Sequence, residues 1–312
     1  MAALPHGFDR RAAPFAFLAG IALAAGLFLN PARAAQTVEQ RIFVSVVDRS
    51  GAPVAGLGAE DFVVREDGVA REVLRVTPAA AGMQMAVLVD TSQAATDAVR
   101  DIRVGVERFV EAMLEGNQVS LITFGGPPRI LVESTNSLVS LRAGITRLFG
   151  ESGSAAYLLD ALVETARGFE RREAARPVIV VVATSGLDFS NADAARVLER
   201  LEASGASLHP MVLTVGQDAF DVETTFDEAT IRHRQFERDL ALEQGSSATG
   251  GRRRDLLLST GFEDALMTLA AQLSNQYLVV YGRPDALIPP ERVDVSVRRS
   301  EATARATRFA KG

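Results

Sequence analysis

The sequence predicts an α/β fold in which a doubly wound, mostly parallel sheet is covered by helices on both faces. Residues 83–89 and 177–183 are apolar almost throughout, as expected of central strands that are buried on both sides. Between and after these two runs, amphipathic helical patterns alternate with further short strands. Both runs end in polar residues, and the carboxyl ends of such strands are where α/β sheets bind ligands.

The first 34 residues have the pattern of a secretory signal peptide. Arg10 and Arg11 precede an apolar segment over residues 12–29, and an Ala-x-Ala pattern ends at Ala34. Cleavage after Ala34 predicts a periplasmic or secreted protein. The apolar segment is also about long enough to cross a bilayer, so an uncleaved anchor is the alternative, and only that alternative implies membrane contact.

Composition excludes several function classes. The 312-residue chain carries a formal charge of −6, and its predicted mature part is more acidic still, so nucleic acid is a poor partner. The absence of Cys excludes disulfides, thiolate catalysis and Cys-based zinc sites. The three His residues form no recognisable triad or metal-ligand spacing, and no Gly-rich phosphate loop follows a strand, so we expect no enzyme.

A small β unit is predicted at residues 36–80, before the main domain. It combines strands at residues 41–48, 61–66 and 72–76 with a hairpin signal at Asp67-Gly68. So few short strands need a surface to pack against, and we expect the unit to dock on the main domain. Residues 284–312 are predicted to form a C-terminal hairpin or tail, with strands at residues 291–298 and 303–308 that complete the β unit.

The main domain is predicted at residues 83–283. Helices are expected from residue 99 to Gly116, at 138–149, at 158–169, from an Asn191 cap to Gly205, and from a Thr260 capping box onward. The remaining strands are expected at residues 119–124, 208–215 and 276–281, with residues 129–133 as an antiparallel edge.

Residues 217–254 interrupt this alternation and are interpreted as an insertion. The segment is polar, acidic at first, and contains one predicted helix around residues 228–242. We expect a solvated connection outside the core, with a ligand-gating lid as the alternative. The run Arg252-Arg253-Arg254 is interpreted as solvated surface rather than a binding patch.

The motif Asp90-Thr91-Ser92 at the end of the first apolar strand resembles that of a von Willebrand factor type A domain. The chain is similar to the secreted bacterial branch called VWFA-related. Its residues 46–54, 56–57, 60–62 and 66–68 resemble the N-terminal β segment of that branch, and residues 273–277 resemble its final helix-to-strand junction. The resemblance covers nearly all of the predicted mature chain.

This resemblance implies a metal ion-dependent adhesion site at the strand ends. The family pattern is Asp-x-Ser-x-Ser on one loop, Thr on a second and Asp on a third, which together offer the oxygen ligands that Mg²⁺ prefers. Asp90 and Ser92 match the first two positions, whereas Ala94, Ala156 and Ser185 stand at the other three. We therefore expect a degenerate site that needs no cofactor.

Two readings of the remaining polar residues stay open. Asp90, Ser92 and Asp188, which lies next to the third loop in sequence, are the candidate ligands if Mg²⁺ binds through a shifted site. Otherwise Asp90 accepts hydrogen bonds from loop amides and Ser92 caps the following helix.

The resemblance favours a non-catalytic, secreted or periplasmic module that binds a protein partner through the end of the sheet. The alternatives are a structural or assembly protein that uses its β unit, and metal-dependent adhesion through the shifted site. Substitutions at Ser92 or Ser185 would weaken binding in the first case and leave assembly through the β unit intact.

Overall fold

The computed structural model describes residues 37–216, 226–285 and 289–307. The predicted signal peptide and the acidic start of the insertion lie outside these residues. The strands are β1 Thr37–Val47, β2 Phe62–Glu66, β3 Val69–Arg71, β4 Val73–Pro78, β5 Gln84–Val89, β6 Gln118–Thr123, β7 Arg129–Thr135, β8 Pro177–Thr184, β9 Ser207–Leu213, β10 Arg254–Leu256, β11 Tyr277–Pro284, β12 Val293–Val297 and β13 Thr303–Ala306. The helices are α1 Val99–Met113, α2 Leu138–Ile145, α3 Leu158–Arg171, α4 Ala194–Ser204, α5 Glu228–Ala248 and α6 Gly261–Ser274.

The main sheet has the strand order β10-β9-β8-β5-β6-β7. Its neighbours pair in parallel except β7, which runs antiparallel to β6 at the edge, as predicted. The chain leaves β5 in one direction along the sheet and starts β8 on its other side, so β5 and β8 meet at a topological switch point. This arrangement confirms the predicted α/β fold class.

Strand β5 supplies both cores because its side chains alternate between the two faces of the sheet. Met85, Val87 and Val89 pack in a core with α1, α2 and α6. Ala86 and Leu88 pack in the opposite core with α3, α4 and α5. Burial on both faces is why residues 83–89 lack the polar alternation of a half-exposed strand.

The interpretation of residues 217–254 as a solvated connection is wrong for the part that the structure describes. Helix α5 packs on α4 and β9, and its Ala241 and Leu242 are fully buried in the second core. Gly245 lets the helix approach closely, since a Cβ at that position would come within 3.0 Å of Leu201 and Leu208 side-chain atoms. The segment also ends in β10, which extends the main sheet.

The β unit contains more of the C-terminal chain than the sequence predicts. Strand β11, assigned above to the main domain, instead pairs with β1 and β4 in an antiparallel sheet of order β13-β1-β11-β4. Strands β12 and β13 do complete the β unit, but the predicted hairpin is wrong. They enter different sheets, β12 beside β2 and β13 beside β1.

Arg176 fastens the β unit to the main domain. Its guanidinium donates to the carbonyls of Ala81 and Leu273 and to the Gln276 side chain, and it lies 4.7 Å from the centre of the Phe43 ring. Burial lowers the pKa of Arg176 to about 10, so it remains charged at neutral pH. The unit therefore docks through a buried cation as well as apolar contacts.

Two predicted helix caps are wrong. Asp193, not Asn191, caps α4 by accepting from the Arg196 amide, and the Asn191 amide donates to Asp160 instead. Thr260 makes no side-chain cap, because its backbone is already helical in a turn that leads into α6. Gly205 ends α4 in the left-handed conformation, as predicted (φ 65°).

No helix within the described residues is long and apolar enough to cross a bilayer.

Candidate functional site

The candidate site lies at the carboxyl ends of β5 and β8, at the switch point. Asp90 follows β5 directly, and its amide donates to the Val182 carbonyl of β8 at 2.9 Å. Thr184, the last residue of β8, contacts Asp90, and Gly125 in the loop after β6 lies against the next two residues. Asp90 is 1% exposed as a result.

Both carboxylate oxygens of Asp90 accept hydrogen bonds from the protein. Oδ1 accepts from the Ser92 amide at 2.9 Å. Oδ2 accepts from the Thr184 amide at 3.0 Å and from the Thr184 hydroxyl at 2.7 Å. The side chain thus ties the β5 loop to the end of β8. Thr184 is the partner that sequence reasoning missed, because nothing in a local pattern tells which loop a buried acid will face.

Ser92 does not cap the following helical turn, so that expectation is wrong. Its backbone carbonyl accepts from the Ala95 amide, and no side-chain cap forms. The hydroxyl is buried and has no hydrogen-bond partner among the described residues. Ser92 Oγ is consequently the one uncommitted oxygen of the motif.

Asp188 has a different structural role from Asp90. Its Oδ2 accepts from the Leu158 amide and its Oδ1 from the Ser190 amide, both at 2.9 Å. Leu158 is the first residue of α3, so Asp188 caps that helix from a neighbouring loop. Burial raises the pKa of Asp188, while its hydrogen bonds to Ser190 and Leu158 and the charge of Arg238 act in the opposite direction.

Each substituted position contacts a neighbouring loop or strand end. Ala156 forms a bridge with Asp188 that aligns the second and third loops. The Ser185 hydroxyl accepts from the Val215 amide at 3.0 Å, beyond the end of β9. Ala94 lies so near Gly186 that a Cβ on the glycine would come within 2.5 Å of the Ala94 Cβ. These contacts tie the three loops to neighbouring parts of the fold.

A buried cation lies beside the third loop. Arg238 of α5 is 3% exposed and donates to the carbonyls of Thr184 and Gly186. Its position was not predicted, although Arg238 falls one helical turn before Ala241 and Leu242 and so shares their buried face. The helix that sequence analysis placed outside the core therefore supports the site.

The loop after β6 approaches the site through a glycine. The Gly125 amide donates to the Thr91 hydroxyl at 3.2 Å. A Cβ on Gly125 would lie 2.1 Å from the Thr91 carbonyl carbon and 2.3 Å from the Ser92 nitrogen. Only a residue without a side chain fits this close backbone contact.

The residues present do not fit the Mg²⁺ that the family pattern implies. Mg²⁺ takes about six oxygen ligands in near-octahedral geometry. Here Asp90 and Asp188 already accept from amides and a hydroxyl, and Ser92 Oγ alone is uncommitted. In the part of the chain that the structure describes, no three His, Cys, Asp or Glu side chains are arranged to hold a metal ion.

Residues 85–187 match the family model of the von Willebrand factor type A domain. No curated protein matches the sequence. One similar solved structure is a von Willebrand factor type A protein from Catenulispora acidiphila, at 10% identity and a TM-score of 0.48, with 89% of this chain and 75% of that chain covered.

Two further solved structures are similar at comparable scores. The von Willebrand factor domain of the type V pili tip protein Mfa5 from Porphyromonas gingivalis has 10% identity and a TM-score of 0.47, covering 62% of this chain and 95% of that one. An aerotolerance-related membrane protein from Bacteroides fragilis has 16% identity and a TM-score of 0.44, covering 61% and 98%.

The matched residues run from β5 to the loop after β8 and so include Asp90, Ser92, Ala156 and Ser185. The chain therefore carries a von Willebrand factor type A domain.

Proposed function

We propose that this protein is a non-catalytic binding module that engages a protein partner through the carboxyl end of its parallel sheet without a divalent metal. Type A domains are generally adhesion or interaction modules rather than enzymes. The proposed location is periplasmic or secreted, and it depends on the N-terminal pattern in residues 1–34, which lie outside the described residues.

The observation that carries the proposal is a group of exposed apolar side chains at this end of the sheet. We name Phe149, Leu257 and Leu258 the apical rim; their exposed fractions are 62%, 83% and 72%. Leu257 and Leu258 follow the carboxyl end of β10 directly. Phe149 lies two residues before Glu151, whose amide donates to the Thr91 carbonyl.

Both parts of the apical rim are held against the first half of α1. Arg103 of α1 donates to the Leu148 carbonyl and lies 4.5 Å from the centre of the Phe149 ring. Asp101 accepts from the hydroxyl of Ser259, which follows Leu258. Aromatic and aliphatic side chains presented on a rigid support are suited to a protein interface, because little conformational entropy is lost on binding.

Metal independence is supported by the hydrogen bonds of Asp90. An adhesion site of the family type needs carboxylate oxygens that are free to bind the ion, whereas Asp90 already bonds three protein donors. We infer that the loop hydrogen bonds replace the ion in holding the site together. The degenerate site is then a structural element, and the partner contacts the apical rim.

A thermal-shift experiment tests the metal part of this proposal. A ligand that binds only the folded state at millimolar concentration with a micromolar Kd stabilises it by about 4 kcal/mol. We expect Mg²⁺ and Mn²⁺ to leave the Tm of the unmodified chain unchanged. The triple variant Ala94→Ser, Ala156→Thr, Ser185→Asp should gain a response. A clear rise in the unmodified protein that Asp90→Asn abolishes would restore metal-dependent adhesion.

Affinity enrichment from the native host's extracytoplasmic fraction tests the surface. The chain, Phe149→Ser, the double variant Leu257→Ser with Leu258→Ser, and the control Val139→Ser are compared in EDTA by quantitative mass spectrometry. Val139 is 80% exposed but lies in the first turn of α2, at the opposite end of the sheet. We expect the same protein to be enriched by the unmodified chain and the control, and lost with the rim variants.

The alternative of assembly through the β unit predicts a different result. One edge strand of that unit is β4, which pairs with β11 on one side only in the described sheet. A partner retained by both rim variants but lost with Leu74→Lys, a substitution on β4, would favour that alternative.

A further inference from the structure

Three arginines from two distant segments of the chain meet beside the edge of the main sheet, away from the candidate site. We name Arg252, Arg254 and Arg305 the arginine cluster. Arg254 begins β10 and pairs with Met211 of β9, while Arg305 lies in β13 opposite Ser45 of β1. All three line one narrow cavity between the main sheet and the β unit.

A second, larger cavity opens outward from this point. It has a volume of about 530 Å³, and Arg252 and Arg305 line it as well as the narrow one. The narrow cavity is only about 10 Å³, the size of one water molecule. A ligand would therefore occupy the larger cavity, in contact with Arg252 and Arg305, while Arg254 contributes its charge from behind them.

No carboxylate within the described residues forms an ion pair with the arginine cluster. The structure gives no hydrogen bond or ion pair to the side chains of Arg252, Arg254 or Arg305. The adjacent Arg253 is different, because it pairs with Asp239 at 3.1 Å and Asp255 at 2.9 Å. The absence of partners is thus specific to the three residues that face the narrow cavity.

Repulsion among the three arginine charges opposes their close placement in the folded chain. Arg254 and Arg305 are half-buried. Burial lowers the pKa of Arg254, and the charge of Arg252 lowers it further. Burial also lowers the pKa of Arg305, with the charges of Arg252 and Arg254 acting in the same direction. Arginine stays protonated even so, and a protein of net charge −6 concentrates three cations in one place.

We propose that the arginine cluster is a binding site for a small oxyanion that carries at least two negative charges, with phosphate as the representative ligand. Guanidinium groups bind phosphate and carboxylate oxygens through paired, charge-assisted hydrogen bonds. The outer wall carries two carboxylates, Glu243 and Asp294, and Asp294 is already paired with Arg292. Glu243 disfavours a bulky polyanion, which is why a small one fits better.

The site is independent of the proposed binding function, because it lies beside β9 and β13 rather than at the carboxyl end of the sheet. The interpretation of residues 252–254 as solvated surface is wrong for Arg253 and Arg254, which are partly buried. Arg252 is exposed as expected, and it borders both cavities.

The test is a titration of the full chain with inorganic phosphate, followed by calorimetry and by Tm, with NaCl at matched ionic strength as the screening control. A parallel titration with citrate distinguishes phosphate from carboxylate recognition. We expect a saturable response to at least one of these anions. Arg252→Gln and Arg305→Gln should each weaken binding by about tenfold or more, as expected for the loss of charge-assisted hydrogen bonds.

Two further readouts separate a ligand site from a structural role. Without ligand, Arg305→Gln should match or exceed the Tm of the unmodified chain, since it removes an unpaired like charge. Arg200→Gln, which lies outside both cavities, should keep the affinity and lose Tm, because it breaks the ion pairs to Glu170 and Glu199. The proposal is overturned if neither anion binds beyond the NaCl effect, if Arg305→Gln binds equally well, or if Arg200→Gln weakens binding as much.

Discussion

Replacing Asp90 gives the sharpest test of how the candidate site is built. Asp90→Ala removes the acceptor of three hydrogen bonds, from the Ser92 amide, the Thr184 amide and the Thr184 hydroxyl. The hydroxyl can rotate to another acceptor, but the two amides stay buried, since Ser92 and Thr184 are each 2% exposed. An orphaned buried donor costs about 1–3 kcal/mol, so we expect unfolding free energy to fall by about 4 kcal/mol in total.

Two milder substitutions should give smaller losses of unfolding free energy. Asp90→Asn keeps one acceptor oxygen and should lose about half as much, roughly 2 kcal/mol. Thr184→Val removes only the hydroxyl hydrogen bond of 2.7 Å and should lose about 1–2 kcal/mol. Equilibrium urea unfolding followed by circular dichroism, in EDTA and again in Mg²⁺, measures all three. In a domain of this size about 4 kcal/mol corresponds to a Tm decrease of roughly 8–16 °C.

The outcome in EDTA decides between the two roles of Asp90. If the hydrogen bonds hold the loops, the loss is the same with and without Mg²⁺. If Asp90→Ala is as stable as the unmodified chain in EDTA, the structural reasoning is refuted. If a difference then emerges only when Mg²⁺ is added, the carboxylate is a metal ligand.

Three further predictions concern the surroundings of the site and the two cores. Gly125→Ala should lower the free energy of unfolding by about 2 kcal/mol or more, because the new Cβ would overlap backbone atoms of Thr91 and Ser92. The control Gly126→Ala, whose Cβ would have its nearest contact at 3.9 Å, should change stability in urea unfolding little. Equal effects of the two substitutions would contradict the close backbone approach at Gly125. Burial, with the charge of Arg305, lowers the pKa of His209 from 6.5 to about 4. The free energy of unfolding should therefore be highest above pH 6.5 and fall by about 3 kcal/mol as the pH drops toward 4. His209→Gln should flatten that part of the pH profile, and an unchanged profile would assign it to other groups. Leu242→Ala should lower the free energy of unfolding measured in urea by about 2–5 kcal/mol, while Phe236→Ala on the exposed side of the same helix should lower it little. A Leu242→Ala variant as stable as the unmodified chain would show that α5 does not belong to the core.

Local patterns were sufficient for the fold class and for most of the elements, although β10 was not predicted. Residues 83–89 lack polar alternation because both faces of β5 are covered, and that absence is visible in the sequence. The polar residues that follow β5 and β8 could be placed at one end of the sheet, because parallel strands end on the same side. The antiparallel edge at β7 and the left-handed end of α4 at Gly205 were predicted in the same way.

The partners of these elements were decided only by the tertiary structure. Strand β11 is as apolar as a strand of the main sheet, yet it pairs between β1 and β4, since an apolar pattern predicts burial without specifying the neighbour. Arg238 and Arg254 are alike as polar residues of one segment, but the first bonds loop carbonyls and the second faces other arginines. The energy of a buried polar or charged group depends on which groups the fold brings within a few ångströms of it, and those groups come from distant parts of the chain.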